Sequence, residues 1–125
     1  MSKKKPFYVK FDTPEEIVKL ASQALEVVRE NGKLKRGTNE TTKAIERNLA
    51  KLVLIAEDVD PPEVVAHLPE LCDERKIPYL YVPTKIDLGK LSGIEVPSAA
   101  ICVTEAGEAE GIIGDIASKL KQSRK

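Results

Sequence analysis

The sequence predicts a single α/β domain in which helices cover both faces of one sheet, a three-layer α-β-α sandwich. Short apolar runs of strand type alternate along the chain with segments whose apolar residues recur at helical spacing. The 125 residues suffice for one hydrophobic core but not for two, and no linker or low-complexity segment divides them. We therefore expect one domain over residues 1–125, with short disordered tails near 1–8 and 121–125.

Two helices are predicted in the first half of the chain. The first begins at Thr13, whose hydroxyl is suited to cap the amide of Glu16, and it ends at Gly32. Its apolar face consists of Ile17, Leu20, Ala21, Ala24, Leu25 and Val28. After a basic extended piece at residues 33–37, a second helix is expected over residues 38–49.

Three strands and three helices are predicted in the second half. Unbroken apolar runs, typical of buried strands, lie at residues 52–56, 79–82 and 99–103. Capping residues open one helix near Asp60, which Pro69 should kink, and a short one at Thr84 that ends near Leu91. The last helix carries Ile112, Ile113, Ile116 and Leu120 on its apolar face.

The aromatic content and the distribution of charge reduce the number of possible functions. Aromatic residues make up 4% of the chain and Trp is absent, which disfavours a stacking platform for bases. Residues 1–51 carry 12 basic and 7 acidic side chains, whereas residues 52–125 carry 8 and 13, so the first half is suited to face a polyanion. No apolar run approaches a membrane span and no signal core follows the first residues, so we expect a cytoplasmic protein without membrane contact.

No catalytic or metal-binding pattern is recognisable in the sequence. Cys72 and Cys102 lie in apolar runs without metal-ligand spacing and are expected to be buried thiols, and His67 is interpreted as a solvated surface residue. The segment 84–87 superficially resembles the guanine-reading motif of GTPases, but no phosphate loop accompanies it, so it is interpreted as a helix cap. Three aspartates of the kind found in phospho-acceptor sites are interpreted instead as caps and loop ends; they are Asp12, Asp58 and Asp60. We expect no catalytic residue, no metal and no cofactor.

The most informative segment is residues 33–51, which carries six basic side chains. A solvated helix face is the plainest interpretation of such a charge run. Gly37, however, permits a tight turn into a helix whose first amides and partial positive charge point outward. Asn39 and Lys43 share one face of that helix with Glu40 alongside, so donors and an acceptor converge.

This mixture of donors and a carboxylate is suited to a guanine edge. The O6 atom can accept from Asn39 or Lys43, while N1–H and the exocyclic amine can donate to the Glu40 carboxylate. Lys35, Arg36 and Arg47 are assigned to phosphates. In regular A-form RNA the guanine edge is paired and the groove is too narrow for a helix, so only distorted RNA would expose it.

Three groups of residues match motifs of a known family: Gly37–Lys43, Leu54–Pro61, and Ile77–Tyr79 with Thr84–Lys85 and Leu88–Gly89. On these motifs, and over residues 10–120, the chain resembles the L7Ae family of kink-turn-binding ribosomal proteins, most closely its archaeal large-subunit members. The resemblance implies a mixed sheet of about four strands and binding to tandem sheared G·A pairs. In a sheared pair the guanine uses its sugar edge, which leaves O6 and N1–H free.

The resemblance also implies a second wall of the site, formed by the loop at residues 94–98 and aided by Asp60, Val64 and Lys85. Val96 stands where some eukaryotic relatives have a basic residue, which suggests a broader tolerance of loop sequence. Without the resemblance, Pro97 would only start a strand and Val96 would only pack. The residues expected to contact RNA are Lys35, Arg36, Gly37, Thr38, Asn39, Glu40, Lys43, Arg47, Asp60, Val64, Lys85, Ile94, Glu95, Val96 and Pro97.

The leading hypothesis is a noncatalytic protein that binds kink-turn RNA, stabilises the kink and nucleates ribonucleoprotein assembly. The resemblance implies large-subunit rRNA, box C/D and H/ACA guide RNAs and RNase P RNA as partners, together with guide-RNA particle proteins and a link to tRNA processing. We expect a monomer in the free state. Two alternatives stay open: a small nucleotide-binding or RNA-modifying α/β enzyme domain, and a protein-interaction adaptor that docks through its acidic half.

Overall fold

The central sheet of the protein has four strands, which are β1 (Lys33–Arg36), β2 (Leu52–Ala56), β3 (Tyr79–Val82) and β4 (Ala100–Glu105). The computed structural model describes residues 5–123. The strand order is β1-β4-β2-β3; β2 runs parallel to β3, and β4 runs antiparallel to both β1 and β2. The predicted mixed sheet of four strands is confirmed, and the basic extended piece forms its edge strand β1.

Five α-helices lie on the two faces of this sheet in the described part of the chain: α1 (Glu15–Asn31), α2 (Thr38–Glu46), α3 (His67–Arg75), α4 (Lys85–Leu91) and α5 (Glu110–Ser123). Short 3-10 turns precede α3 and α5, at Pro62–Val64 and Gly107–Ala109. α1 packs against α4 and α5, and α2 packs against α3. All of β2 and the first four residues of β4 are buried, as expected for strands covered on both faces. The three-layer α-β-α sandwich is confirmed.

The second helix is shorter than predicted, because α2 ends at Glu46 rather than near residue 49. Asn48 adopts the left-handed conformation, with φ of 59°, which turns the chain away from the helix. Arg75 Nη1 donates to the carbonyl of Glu46 at 3.0 Å and to Asn48 Oδ1 at 3.1 Å. This long-range arginine satisfies groups at the end of α2, a partner that local spacing does not reveal.

The third helix starts later than predicted, at His67 instead of near Asp60. Pro69 therefore lies in its first turn, where a backbone N–H would have no intrahelical acceptor and its absence costs nothing. The expected kink at Pro69 follows only from an interior position, so that prediction is wrong. The 3-10 turn at Pro62–Val64 takes up the residues that were assigned to the start of the helix.

The predicted cap at Thr13 is also wrong. Pro14 holds the position before α1, and no side chain caps this helix. The hydroxyl of Thr13 instead accepts a hydrogen bond from the backbone N–H of Tyr81 at 3.0 Å, which joins the segment before α1 to β3. The predicted cap at Thr84 is confirmed, since its Oγ1 accepts from Asp87 N–H at 3.0 Å.

The expected disordered tails at 1–8 and 121–125 lie partly outside the described residues. Among the described ones, Tyr8 is buried, and its hydroxyl donates to the carbonyl of Ala56 at 2.7 Å while accepting from Val59 N–H at 3.2 Å. Lys5 Nζ lies 3.3 Å from Glu57 Oε2, just beyond β2. These contacts join the described residues before α1 to the loop that follows β2, and α5 continues to Ser123.

The far end of α5 packs near the residues that precede β3. A groove of about 330 Å³ separates the two segments, and its lining includes Ile77, Pro78, Tyr79, Leu120 and Lys121. Because residues 76–78 lead into β3, this groove lies at the edge of the sheet where β3 begins. The end of α5 is therefore placed at that edge.

Both cysteines are fully buried free thiols, as predicted. Burial raises the pKa of Cys72 to about 12. Burial also raises the pKa of Cys102, an effect that the neighbouring Thr41 hydroxyl opposes in part. Within residues 5–123, no cluster of three or more His, Cys, Asp or Glu side chains is placed to hold a metal, and no helix is long and apolar enough to cross a membrane.

Candidate nucleic-acid interface

Strand directions bring four connecting segments to one edge of the sheet. The parallel strands β2 and β3 both end there, β4 begins there because it is antiparallel to β2, and β1 ends there because it is antiparallel to β4. The segments that meet at this edge, which we call the loop edge, are Gly37, residues 57–61, residues 83–85 and residues 93–99. Sequence regions that are far apart thus contribute to one surface.

Backbone hydrogen bonds join these segments. Gly37 N–H donates to the carbonyl of Ala100 at 2.8 Å, which places the turn before α2 beside the start of β4. Lys85 N–H donates to Asp58 Oδ1 at 2.8 Å, and the carbonyl of Lys85 accepts from Ser98 N–H at 3.0 Å. The backbone of Lys85 therefore connects the loop after β2 with the loop before β4.

Gly37 makes the predicted turn into α2. Its φ of 96° lies in the region that favours glycine, although the space around a Cβ at this position is open. The first helical hydrogen bond runs from Thr41 N–H to the carbonyl of Gly37 at 3.0 Å. The amides of residues 38–40 therefore precede the hydrogen-bond ladder, and the positive end of the helix dipole lies at the loop edge.

An exposed polar stripe follows the loop edge along α2. Asn39, Glu40 and Lys43 are all exposed, and Lys43 Nζ lies 3.7 Å from Glu40 Oε2. The two side chains are 56% and 49% exposed, so this surface pair contributes little energy and both groups stay accessible to a ligand. The structure thus brings together the two donors and the acceptor that the sequence places on one helix face.

Threonine and histidine side chains hold α2 against α3. The hydroxyl of Thr42 donates to the carbonyl of Thr38 at 2.7 Å and lies 2.8 Å from His67 Nε2. Because the hydroxyl proton is used in the first bond, the second requires Nε2–H as donor. His67 is exposed, as predicted for a surface residue, and its contact fixes the start of α3, with the exposed Val64 just before it, beside the polar stripe.

Two of the cations assigned to phosphates, Arg36 and Arg47, have surroundings that the sequence does not reveal. Arg36 is exposed, yet its guanidinium contacts the buried Ser92: Nε donates to Ser92 Oγ at 3.2 Å and Nη2 donates to the Ser92 carbonyl at 2.6 Å. Arg47 is not beside the Gly37 turn, because it follows the last residue of α2, about 15 Å from Gly37 along the helix axis. Arg47 nevertheless continues the polar stripe, while Lys35 is exposed on β1 as expected.

The loop before β4 forms an apolar wall beside the stripe. We call residues 93–98 the wall loop; within it Ile94 is half-buried, Glu95 and Pro97 are exposed, and the Val96 side chain is 64% exposed. Ile94 N–H donates to the carbonyl of Gly89 at 3.1 Å, and a Cβ at Gly89 would overlap the carbonyl oxygen of Val96. The wall loop therefore lies directly on α4. Further exposed apolar side chains near the loop edge are Val64 and Ile86.

The charges at this surface are mixed. Cations of the stripe and of β1 stand beside carboxylates of the loop edge; the carboxylates are Glu40, Asp58, Asp60 and Glu95. A ligand that offers only negative charge would be repelled by these groups. The surface is better suited to a ligand that presents phosphates together with hydrogen-bond donors and acceptors.

Three residues of the site escaped the sequence interpretation: Asp58, Gly89 and Ser92. Asp58 was assigned to a loop end, and its bond to the Lys85 amide has no local signal. Gly89 lies inside a helix, where an isolated glycine indicates close packing, and this signal was available. Ser92 follows α4 as a plain helix end, and nothing in its neighbourhood points to Arg36, 56 residues earlier.

Fold and loop edge together define a small α/β/α module with a polar recognition surface at one edge of its sheet. A model of the ribosomal protein L7Ae/L30e/S12e/Gadd45 family matches residues 19–113, and the chain belongs to this family. The solved structure of the Giardia lamblia 15.5kD RNA binding protein is similar, with a TM-score of 0.81 and 27% sequence identity over 94% of this chain and 98% of that one. Ribosomal and RNA-binding proteins are usually non-enzymatic.

Proposed function

We propose that this chain is a noncatalytic RNA-binding protein that recognises kink-turns through its loop edge. The observation that carries the proposal is the exposed stripe of Asn39, Glu40 and Lys43 in the first turns of a helix that opens at Gly37. Membership of a ribosomal-protein family and similarity to a protein named for RNA binding support RNA as the ligand.

The guanines of sheared G·A pairs fit the chemistry of this stripe. Their O6 accepts from Asn39 or Lys43, and their N1–H and amine donate to the carboxylate of Glu40. A carboxylate at this place would weaken a site that held phosphate alone, because like charges repel. In ordinary duplex RNA these guanine atoms are paired, so the stripe selects RNA that is distorted.

The wall loop supplies the second part of recognition in this proposal. Val96 is largely exposed and offers an apolar surface for the looped-out nucleotide, with Val64 at the other side of the loop edge. Lys35, Lys85 and Arg47 are the cations proposed to meet phosphates, since each is at least partly exposed.

The proposed RNA ligands are kink-turns in large-subunit rRNA, in box C/D and H/ACA guide RNAs and in RNase P RNA, which connects the protein to tRNA processing. Proteins of the guide-RNA particles are the proposed assembly partners. The support is the resemblance of three sequence motifs to archaeal members of the family, together with the family match itself. We propose a cytoplasmic protein of archaeal type that is monomeric when free.

Titration of one kink-turn RNA against a duplex of equal length tests this function. We expect a preference of at least about a hundredfold for the kink-turn, because several base contacts worth about 1–3 kcal/mol each are lost in the duplex. A third RNA, in which Watson–Crick pairs replace the sheared pairs, should bind like the duplex. Equal affinity for all three RNAs would refute kink-turn recognition and favour the adaptor or enzyme alternatives.

A further inference from the structure

We propose that Arg36 is a positioning residue that sets the place of the wall loop relative to the polar stripe, rather than a phosphate contact. This inference rests on the proposed function, because its consequence is a choice among kink-turn RNAs. Arg36 is the last residue of β1 and immediately precedes Gly37, so it stands at the start of the helix that carries the stripe.

The contacts of Arg36 are those of a structural brace. Its guanidinium makes two bonds to Ser92, 3.2 Å to Oγ and 2.6 Å to the carbonyl oxygen. Ser92 is fully buried at the end of α4, and its own hydroxyl donates to the carbonyl of Gly89 at 2.8 Å. Because helix ends carry unsatisfied carbonyls and partial negative charge, a cation here is bound more strongly than on an open surface.

The wall loop depends on α4 for its position. Its N–H groups bond to carbonyls of that helix at three points, Gly93 to Lys90 at 3.0 Å, Ile94 to Gly89 at 3.1 Å and Ser98 to Lys85 at 3.0 Å. A shift of the end of α4 therefore carries the wall loop with it. Arg36 couples this end to β1, and a second arginine, Arg29, reaches the carbonyl of Lys90 at the longer distance of 3.5 Å.

Loss of the brace changes the gap between Val96 and the stripe. RNAs whose looped-out nucleotides differ in size fill this gap differently, so their relative affinities change while the guanine contacts remain. Lysine at position 36 keeps the positive charge but cannot reproduce the paired bonds from Nε and Nη2. The variant Arg36→Lys therefore separates bracing from charge.

The first test measures affinities for kink-turns that differ only in the looped-out nucleotide, at several salt concentrations. We expect Arg36→Lys to change at least one ratio of affinities by about tenfold, the value of one hydrogen bond to a charged group, and to leave the salt dependence unchanged. Ser92→Ala should change the same ratio in the same direction, and the double variant should add little. The control is Lys35→Ala, at the preceding position of β1. This variant should lower the affinities for all RNAs by a common factor.

The second test needs no RNA. Amide hydrogen exchange of Ile94 and Ser98 in the free protein reports how stable their hydrogen bonds to α4 are. We expect faster exchange in Arg36→Lys and in Ser92→Ala. Unchanged exchange with unchanged affinity ratios would overturn the brace, as would an Arg36→Ala variant that only lowers all affinities and flattens the salt dependence. If the parent chain itself failed to prefer kinked RNA, the exchange result would still decide the brace while the proposed function failed.

Discussion

Glu40 is the residue on which the proposed base recognition depends most directly. Its carboxylate is the proposed acceptor for the guanine donors, and its ion pair with Lys43, at 3.7 Å on the surface, contributes little to the fold. We expect Glu40→Gln to weaken kink-turn binding by about 1–3 kcal/mol and to leave the thermal transition in place. Titration of the same RNA into Glu46→Gln is the control, since this exposed carboxylate ends the same helix.

A guanine substitution distinguishes base recognition from a general charge effect. Replacing the guanines of the sheared pairs should lower the RNA affinity of the parent more than that of the Glu40→Gln variant, because the variant has already lost those contacts. Asn39→Ala and Lys43→Ala should show the same reduced sensitivity. Equal cost in the parent and in all three variants would mean that the stripe reads no base.

Lys35 and Arg47 are proposed to contact separate phosphates of the RNA. Neutralising either one should weaken binding to every kink-turn about equally and lower the slope of log affinity against log salt by about one contact. This slope is measured by RNA titrations over a threefold or larger range of salt concentration. Lys76→Gln serves as the control, because this cation precedes β3 at the opposite edge of the sheet; a slope change there as large as in Lys35→Ala would contradict the assignment.

At the scale of elements, the wall loop is predicted to determine which kink-turns bind best. Val96 is 64% exposed on a loop that α4 holds in place, so Val96→Arg adds charge and bulk at a fixed position. We expect the ranking of kink-turns with different looped-out nucleotides to change, while the contacts to the sheared pairs persist. Competition binding with a panel of such RNAs measures this.

A matched substitution keeps that test specific. Ile86→Arg places the same charge and bulk on α4 outside the wall loop, at a side chain that is 57% exposed. This variant should change the affinities for all RNAs of the panel by one common factor. If Val96→Arg also changed all affinities by one common factor, the wall loop would not discriminate among kink-turns.

Elements whose formation depends on near neighbours were predictable from the sequence. The bounds of β2 and β3 agree with the apolar runs at 52–56 and 79–82, because four or five consecutive apolar residues leave little choice but a buried strand. The cap at Thr84 and the turn at Gly37 were predictable for the same reason. Thr13 was not, since its hydroxyl is taken by the amide of Tyr81, 68 residues later.

In the candidate site, too, contacts set by local spacing were predictable and contacts set by long-range packing were not. Spacing along one helix placed Asn39, Glu40 and Lys43 on a common face, so this stripe could be predicted without a structure. The partner of Arg36 could not, because packing between β1 and α4 decides whether a guanidinium meets solvent, phosphate or a buried carbonyl. Arg47 follows Gly37 by ten residues, so its distance of about 15 Å from the turn follows from helix rise alone, whereas the end of α2 depends on Arg75 of α3.

For the molecule as a whole, the buried thiols predict a loss of stability at alkaline pH. In the folded state burial raises the pKa of Cys72 from 9.0 to about 12, so the folded chain keeps a proton that the unfolded chain releases. The resulting stabilisation is complete below about pH 9 and is lost as the pH rises toward 12. Each thiol contributes at most about 1.4 kcal/mol per pH unit in this range.

Denaturant unfolding under reducing conditions, between pH 7 and pH 10.5, measures this dependence. The variant Cys72→Ala should be less stable at neutral pH because it leaves a cavity, yet its stability should fall less steeply above pH 9. Every other titratable side chain is common to both proteins, so the difference between the two curves isolates the thiol. Parallel curves above pH 9 would show that Cys72 does not govern the alkaline loss.

The two ends of the described chain lie on opposite sides of the sheet, and this has a practical consequence for attaching the protein to something else. Lys5 contacts Glu57 beside the loop edge, whereas the last turn of α5 borders the groove where β3 begins. A fluorophore, affinity handle or surface anchor joined after α5 would leave the recognition surface turned toward solution. The same attachment before Lys5 would lie beside the loop edge, where the RNA is proposed to bind.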